Sequence, residues 1–281
     1  MKPIFYYDGR LYNAEEAAIP FTDRSLYFGD AIYDACLVKD GRPYLLDAHL
    51  DRFARGCGAL RMRLPMPRRE LSALLCELCK QAAYETEFLY FQASRGAVQR
   101  RHFASEEDSS HLLVRVSEML LPDPGQTLSL ILTRDSRYDF CHIKTTNLLP
   151  AVLASTKAMR MGADEAVFVR DGIVTECAHS NVSILKNGTL ISHPKGRRIL
   201  PGIGREQLLA VCAGLHIPVK ERAFSVRELY EADEILITST SKLCLRANRI
   251  FGQSVGMKDK KNAEKIIINI FENFRNGNIA Q

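Results

Sequence analysis

Lys144 stands in Phe-Cys-His-Ile-Lys-Thr-Thr-Asn and Glu176 in Gly-Ile-Val-Thr-Glu-Cys-Ala, two charges set into runs that otherwise read as buried structure. A lysine in apolar surroundings gives up its proton more readily, because desolvation disfavours the ammonium form, and the free amine is a nucleophile toward aldehydes. The pair therefore points to carbonyl chemistry. A pyridine aldehyde cofactor needs an amine to hold it and an acid partner for its ring nitrogen. The plain alternative is a solvated lysine.

Two further segments could meet a phosphate. Leu-Pro-Gly-Ile-Gly-Arg-Glu-Gln, residues 200–207, sets two glycines ahead of a helical pattern, where open backbone N–H groups and the helix dipole attract anions. A turn that uses glycine for its φ freedom would look the same. Thr238-Ser239-Thr240-Ser241 closes an apolar strand with four hydroxyls, donors without charge, though such runs are also ordinary polar loops. A phosphate-bearing cofactor would use both segments plus a cation such as Arg52. Arg95, Arg100, Arg101 and His102 form a basic knot that reads either as a solvated loop or as a carboxylate-binding one. It lacks a nucleic-acid-reading motif.

The elements that must hold these groups follow from turn signals and periodicity. Asp8-Gly9 and Asp40-Gly41 predict hairpins. A helix capped by Asp47 is expected, with Leu50, Phe53, Cys57 and Leu60 on one face and Arg52 pointing away from that stripe. Pro67 opens a second helix to about Tyr84. An apolar strand over 88–93 precedes a long Arg-rich excursion over 95–110, a length that in a compact domain marks function or disorder. Leu121-Pro-Asp-Pro-Gly125 reads as a linker. The expected domains are 1–120 and 126–281, joined by 121–125. In the second, a strand carrying Lys144, a helix over 151–161, hairpins at Asp171-Gly172 and Asn187-Gly188, a helix over 205–214, a strand over 234–237 and an amphipathic C-terminal helix are expected. Strands and helices mix without strict alternation, so the class is α+β or mixed α/β.

Composition narrows the function classes. At 281 residues, with 46% hydrophobic and 25% charged residues, the chain fits an ordinary globular protein of about two domains. No run approaches the ~18 apolar residues a membrane span needs. The N-terminal residues lack a signal-peptide pattern, which leads to the expectation of a cytoplasmic protein whose eight cysteines are reduced. Cys76 and Cys79 lie in the stripe Leu71, Leu74, Leu75, Leu78, Ala82, and no second pair with metal-ligand spacing follows; core packing, not a metal, is expected. The net charge of +5 favours anionic small molecules only weakly.

Taken together, Phe28-Gly-Asp-Ala-Ile-Tyr33, His49-Leu-Asp-Arg52, Arg100-Arg-His102, His142-Ile-Lys-Thr-Thr-Asn-Leu-Leu149, Thr175-Glu-Cys-Ala-His-Ser-Asn-Val182, Leu200-Pro-Gly-Ile-Gly-Arg205 and Thr238-Ser-Thr-Ser241 follow one another in a resembling order and spacing. The chain resembles the class IV pyridoxal-phosphate aminotransferases over nearly its whole length. Within them it is most similar to the D-amino acid (D-alanine) aminotransferases, through Arg100-x-His102 and Tyr33.

The resemblance implies a two-domain, homodimeric fold with the site between a small and a larger domain and the Arg-x-His loop reaching in from the neighbouring subunit. It implies that Lys144 holds pyridoxal 5'-phosphate and moves the proton at the substrate Cα, and that Glu176 pairs with the pyridine nitrogen. Arg52, the backbone of Ile203 and Gly204, and the Thr240 hydroxyl would hold the phosphate, and Leu200 would pack on the ring. Tyr33, Arg100 and His102 would bind the substrate carboxylate, so that only one enantiomer presents its Cα–H to Lys144. The implied reaction is transamination between a D-amino acid (D-alanine, D-glutamate or D-aspartate) and a 2-oxo acid such as 2-oxoglutarate or pyruvate. Aminodeoxychorismate lyase and branched-chain L-aminotransferase are the alternatives inside the family, and a non-catalytic module with an anion-binding loop is the alternative outside it. Neither nucleic acid nor membrane is an expected partner. Three residues depart from the family pattern: Cys177 for a glycine beside the acid, Gly204 for a hydroxyl-bearing residue, and Arg101 as an added charge in the trap.

Overall fold

The computed structural model describes residues 2–105 and 108–277. The chain divides into two compact units, Met1–Leu121 with Ile143–Asn147, and Pro122–His142 with Leu148–Gln281. The return of 143–147 to the first unit differs from the expected 126–281 domain, which places Lys144 in the second.

The first unit is built on β1 (Ile4–Tyr7), β2 (Arg10–Tyr12), β3 (Ala31–Lys39), β4 (Arg42–Pro43), β5 (Thr86–Ser94) and β6 (His111–Glu118), with α1 (Arg24–Phe28), α2 (Leu46–Ala59) and α3 (Arg68–Ala82). Its six-stranded sheet runs β2-β1-β6-β5-β3-β4, every neighbouring pair antiparallel. The hairpin turns Asp8-Gly9 and Asp40-Gly41 hold positive φ at both residues, the conformation whose twist matches that of the flanking strands and that Asp-Gly reaches at least cost. Successive strand residues face opposite sides. Ile32, Cys36 and Val38 of β3 meet Leu89 and Phe91 of β5 under Leu50, Phe53 and Cys57 of α2 and Leu71, Leu75 and Leu78 of α3.

Two expectations for this unit are corrected. Asp47 is not the cap of α2; Leu45 holds that position with φ 55°, and Asp47 lies inside the first turn, where its charge still favours the helix dipole. Arg52 does not point away from the core face but is buried beside Phe53, because β3 presents a carboxylate to it.

The second unit holds β7 (Thr127–Arg134), β8 (Glu165–Arg170), β9 (Ile173–Cys177), β10 (Asn181–Lys186), β11 (Thr189–Ser192), β12 (Val219–Glu221), β13 (Phe224–Ser225), β14 (Glu234–Ser239), β15 (Leu243–Ile250) and β16 (Gln253–Ser254). They form a ten-stranded mixed sheet in the order β12-β11-β10-β14-β15-β7-β8-β9-β13, with β16 on β15. The pairs β15·β7, β7·β8 and β11·β12 are parallel. Helices α4 (Leu149–Arg160), α5 (Ile203–Gly214), α6 (Val226–Tyr230) and α7 (Lys260–Asn276) complete it. Ala151, Ala154 and Ala158 of α4 pack on Ala166 and Phe168 of β8. Ile266, Ile267, Ile270 and Phe274 of α7 are buried, one stripe at helical spacing. No described helix is long and apolar enough to cross a membrane.

Candidate active site

In the first unit, Lys144 is not in a strand of its own. Its segment lies along β3, with Tyr33 N–H donating to Lys144 O at 3.0 Å and Thr146 N–H to Ala31 O at 3.2 Å. Asn147 Nδ2 donates to Gly29 O at 3.0 Å. A short piece of main-chain pairing thus fixes the lysine by its own backbone. Lys144 is half-buried, and its Nζ lies 4.2 Å from the centre of the Tyr33 ring, which in turn stacks on Tyr90 at 5.5 Å.

On the other face of β3, Asp34 accepts from Arg52 Nε at 2.8 Å, Arg52 Nη2 at 2.6 Å and His49 Nδ1 at 2.8 Å. Burial pushes the Asp34 carboxyl upward, yet Arg52 and His49 hold it well below the usual carboxylate range. Burial pushes His49 down from its ordinary value against the pull of Asp34. This is a buried ion pair with its lone pairs satisfied, the arrangement that fixes a guanidinium in one orientation.

Arg100 and His102 form a separate cluster. Arg100 lies 5.4 Å and His102 5.6 Å from the Phe28 ring. Arg101 turns back on its own loop, donating to Asp108 Oδ1 at 2.6 Å and lying over Phe103 at 5.0 Å. Its charge is thus paired inside the loop.

In the second unit, Glu176 of β9 is buried. Oε1 pairs with Arg137 Nη1, while Oε2 accepts from Asn181 Nδ2 at 2.9 Å and Leu200 N–H at 3.0 Å. Burial pushes the carboxyl up to about 7, against Arg137 and the Leu200 amide, which favour the ionised form. Arg137 is itself held by Asp135 through Nε at 3.0 Å and Nη2 at 3.0 Å and lies 4.4 Å from the Phe168 ring centre. Cys177 follows on the opposite face of β9, and burial holds its thiol well above the ordinary value. At 1% exposure it is packed as a core group.

Helix α5 begins at Ile203 with Gly202 as its cap. A Cβ on Gly202 would lie 2.0 Å from Asn181 Oδ1, so only glycine lets the helix terminus come this close to the Glu176 cluster. A Cβ on Gly204 would meet Thr238 and Ser239 at 3.6–3.7 Å, ordinary contact. Thr238 Oγ1 is buried without a partner, and Thr240 lies just beyond, in the turn between β14 and β15. An orphaned hydroxyl beside the open N–H groups of a helix start fits an anion with several acceptor oxygens. Glu176 with its cationic support fits a ring nitrogen that must stay protonated. These residues therefore suit pyridoxal phosphate.

Within the first unit, Tyr33 and Lys144 come together, and so do Arg100 and His102, as two different clusters. Within the second, Glu176 joins Leu200, and Gly204 adjoins the hydroxyl run. Sequence reasoning missed Arg137, Asn181, Asp34 and His49 as partners. Asp34 carried the same signal that exposed Glu176, a charge inside the apolar strand Ala31–Lys39; Arg137 lies in an irregular segment and carried none.

The family pattern described as amino-transferase class IV matches residues 31–250. A D-alanine aminotransferase of Staphylococcus epidermidis is 33% identical over 253 residues, covering 89% of this chain and 90% of that protein. Among solved structures, a branched-chain aminotransferase from Thermoproteus uzoniensis aligns with TM-score 0.89 at 21% identity over 98% of this chain and 95% of its own. The putative 4-amino-4-deoxychorismate lyase of Legionella pneumophila aligns with TM-score 0.84 at 19% identity, over 92% of this chain and 96% of its own. Those two likenesses speak for the fold, while the family match and the one-third identity along most of both chains decide membership: the chain belongs to the class IV aminotransferases.

Proposed function

We propose that this chain exchanges an amino group between a D-amino acid (D-alanine, D-glutamate or D-aspartate) and a 2-oxo acid such as 2-oxoglutarate or pyruvate, with pyridoxal 5'-phosphate as cofactor. The observation that carries the choice within the family is the identity to a D-alanine aminotransferase along nine-tenths of both chains. When bound, the cofactor supplies an aldehyde for amines and a ring that withdraws electrons from the substrate Cα.

In this reading Lys144 Nζ would hold the cofactor and would serve as the base and acid that moves the proton at the substrate Cα. The Tyr33 ring, 4.2 Å from Nζ, limits where the amine can swing. Glu176 would pair with the pyridine N–H, held in place by Arg137, Asn181 and the Leu200 amide. Arg52 supplies a fixed cation for the phosphate, oriented by Asp34. The backbone of Ile203 and Gly204 and the Thr240 hydroxyl supply neutral donors. Leu200 packs on the ring. Tyr33, Arg100 and His102 bind the substrate carboxylate, which selects the D-enantiomer by setting which face of Cα meets Lys144.

The working form is a homodimer, with the Arg100–His102 loop of one copy serving the site of its partner, and its location is the cytoplasm. The exposed side chains Leu149, Val152, Leu153 and Met159 on α4 give a second copy an apolar face to cover. Incubation with D-alanine, L-leucine and 2-oxoglutarate, with both amino acids followed, tests the reading. D-alanine consumption with glutamate formation is expected; turnover of L-leucine alone overturns it.

A further inference from the structure

We propose that Arg24 is a positioning residue for the Arg100–His102 loop and so sets the affinity for the substrate carboxylate; this rests on the reading that Arg100 and His102 bind that carboxylate. Arg24 is buried at the start of α1. Its Nε donates to Asp30 Oδ2 at 2.8 Å, and its Nη1 donates to Arg101 O at 2.7 Å and to Phe103 O at 3.3 Å. The two carbonyls flank His102. The Arg24 backbone N–H also donates to Gly96 O at 3.0 Å, so one residue grips the loop near its start and around its functional middle.

Charge pairing alone does not account for Arg24. Asp30 Oδ2 already accepts from Arg95 Nε at 2.9 Å, and Arg95 is tied to the end of α2 through Leu60 O at 2.7 Å and Arg61 O at 3.0 Å. Arg95 holds Asp30 to the body of the unit, and Asp30 in turn aims Arg24 at the loop. Among the described residues, the hydrogen bonds that tie residues 100–104 to that body both end on Arg24; Arg101 bonds to Asp108 within the loop. Phe28 adds the second contact. Arg24 lies 4.7 Å from its ring centre, and the same ring carries Arg100 and His102. The rigid fork of a guanidinium can serve one carboxylate and two carbonyls at once, which a lysine ammonium cannot do in this geometry.

The test compares the holoenzyme with its Arg24→Gln and Arg24→Lys variants. In both, KM for the D-amino acid and for the 2-oxo acid is expected to rise about ten- to a hundredfold, the effect of losing one or two charge-assisted hydrogen bonds that hold a binding group, with kcat within about threefold, the signature of lost uniform binding. The visible absorbance of the bound cofactor stays at the wild-type value. Trypsin cleavage after Arg100 and Arg101 accelerates about tenfold relative to other sites, as local opening becomes easier. Wild-type KM in either folded variant overturns the proposal, and restoration by Lys alone would assign Arg24 to charge pairing with Asp30. Loss of cofactor absorbance together with kcat overturns it in favour of a general structural role. If Arg24→Gln fails to fold, the Lys variant carries the test. If the wild type itself turns over no D-amino acid, the substrate reading fails, and the cleavage rates still decide whether Arg24 holds the loop.

Discussion

Burial opposes a negative charge on Glu176, and the groups that favour one are identifiable one by one. Burial raises its carboxyl to about 7, while the Arg137 guanidinium and the Leu200 amide pull the other way. Replacing Arg137 by Met removes the principal cation and moves the Glu176 value further up. The ionised fraction then begins to fall at higher pH, so the acid limb of kcat/KM shifts upward by about one unit or more, measurable in a pH profile of the holoenzyme against wild type. Glu176→Gln removes the charge itself; transamination is expected to drop ~100-fold or more, the scale of one strong electrostatic contact to the reacting system, with borohydride still fixing the cofactor at Lys144. Gly202→Ala reaches the same carboxylate indirectly. Its Cβ would displace Asn181, so a stability loss of ~1–3 kcal/mol and a drop in activity are expected together, read by urea unfolding and steady-state rates.

At the scale of elements, β3 serves two chemistries with alternate side chains: Tyr33 faces Lys144, and Asp34 faces His49 and Arg52 of α2. The Asp34 carboxyl is held below its ordinary value, so its contribution to stability is fully present above the unfolded carboxylate value of ~3.9 and is withdrawn as pH falls below that toward the lower native value. Asp34→Asn, which leaves the buried Arg52 guanidinium without its counterion, is expected to cost ~3–5 kcal/mol at neutral pH. The gap between variant and wild type should narrow below about pH 4, as followed by urea unfolding at pH 7 and pH 3. This pairing also marks how far the sequence could be read. Hairpins at Asp8-Gly9, Asp40-Gly41, Asp171-Gly172 and Asn187-Gly188 were legible because their local conformation needs those residue types. The α2 and α3 core stripes were legible because a helical period is local too. Arg52 was not legible as a buried residue, since a polar side chain on the core side of a helix is explained only by a partner on a distant strand. The Lys144 segment was read as a strand because its apolar content fits one; what it forms is a brief pairing with β3, settled by tertiary contact and not by propensity. Of the groups around Glu176, Arg137 was not legible, because Asp135 holds it from within an irregular segment.

For the whole molecule, the question is what covers α4. Its inner alanines pack on β8, while Leu149 is 69% exposed, Val152 54%, Leu153 62% and Met159 69%. These side chains recur on one helix face, where water gains nothing from them and a second copy would. Full burial of each such side chain is worth ~1.5–3 kcal/mol relative to exposure, so four together supply a substantial part of a stable interface, even after the cost of association. If the proposed homodimer forms through this face, substitution there is an assembly defect first and a catalytic one second. Leu153→Glu combined with Val152→Lys is expected to shift the protein from dimer to monomer in sedimentation equilibrium while leaving far-ultraviolet circular dichroism unchanged, because neither residue belongs to the core of its own unit. If the Arg100–His102 loop serves the partner's site, the monomer should also lose D-amino acid turnover at concentrations where the wild type is fully active. Mixing it with a Lys144→Ala dimer should not restore activity, because that partner retains an intact α4 face but the doubly substituted copy cannot dock on it. A monomer with full activity would separate the apolar face of α4 from the working site and leave the loop acting within its own chain.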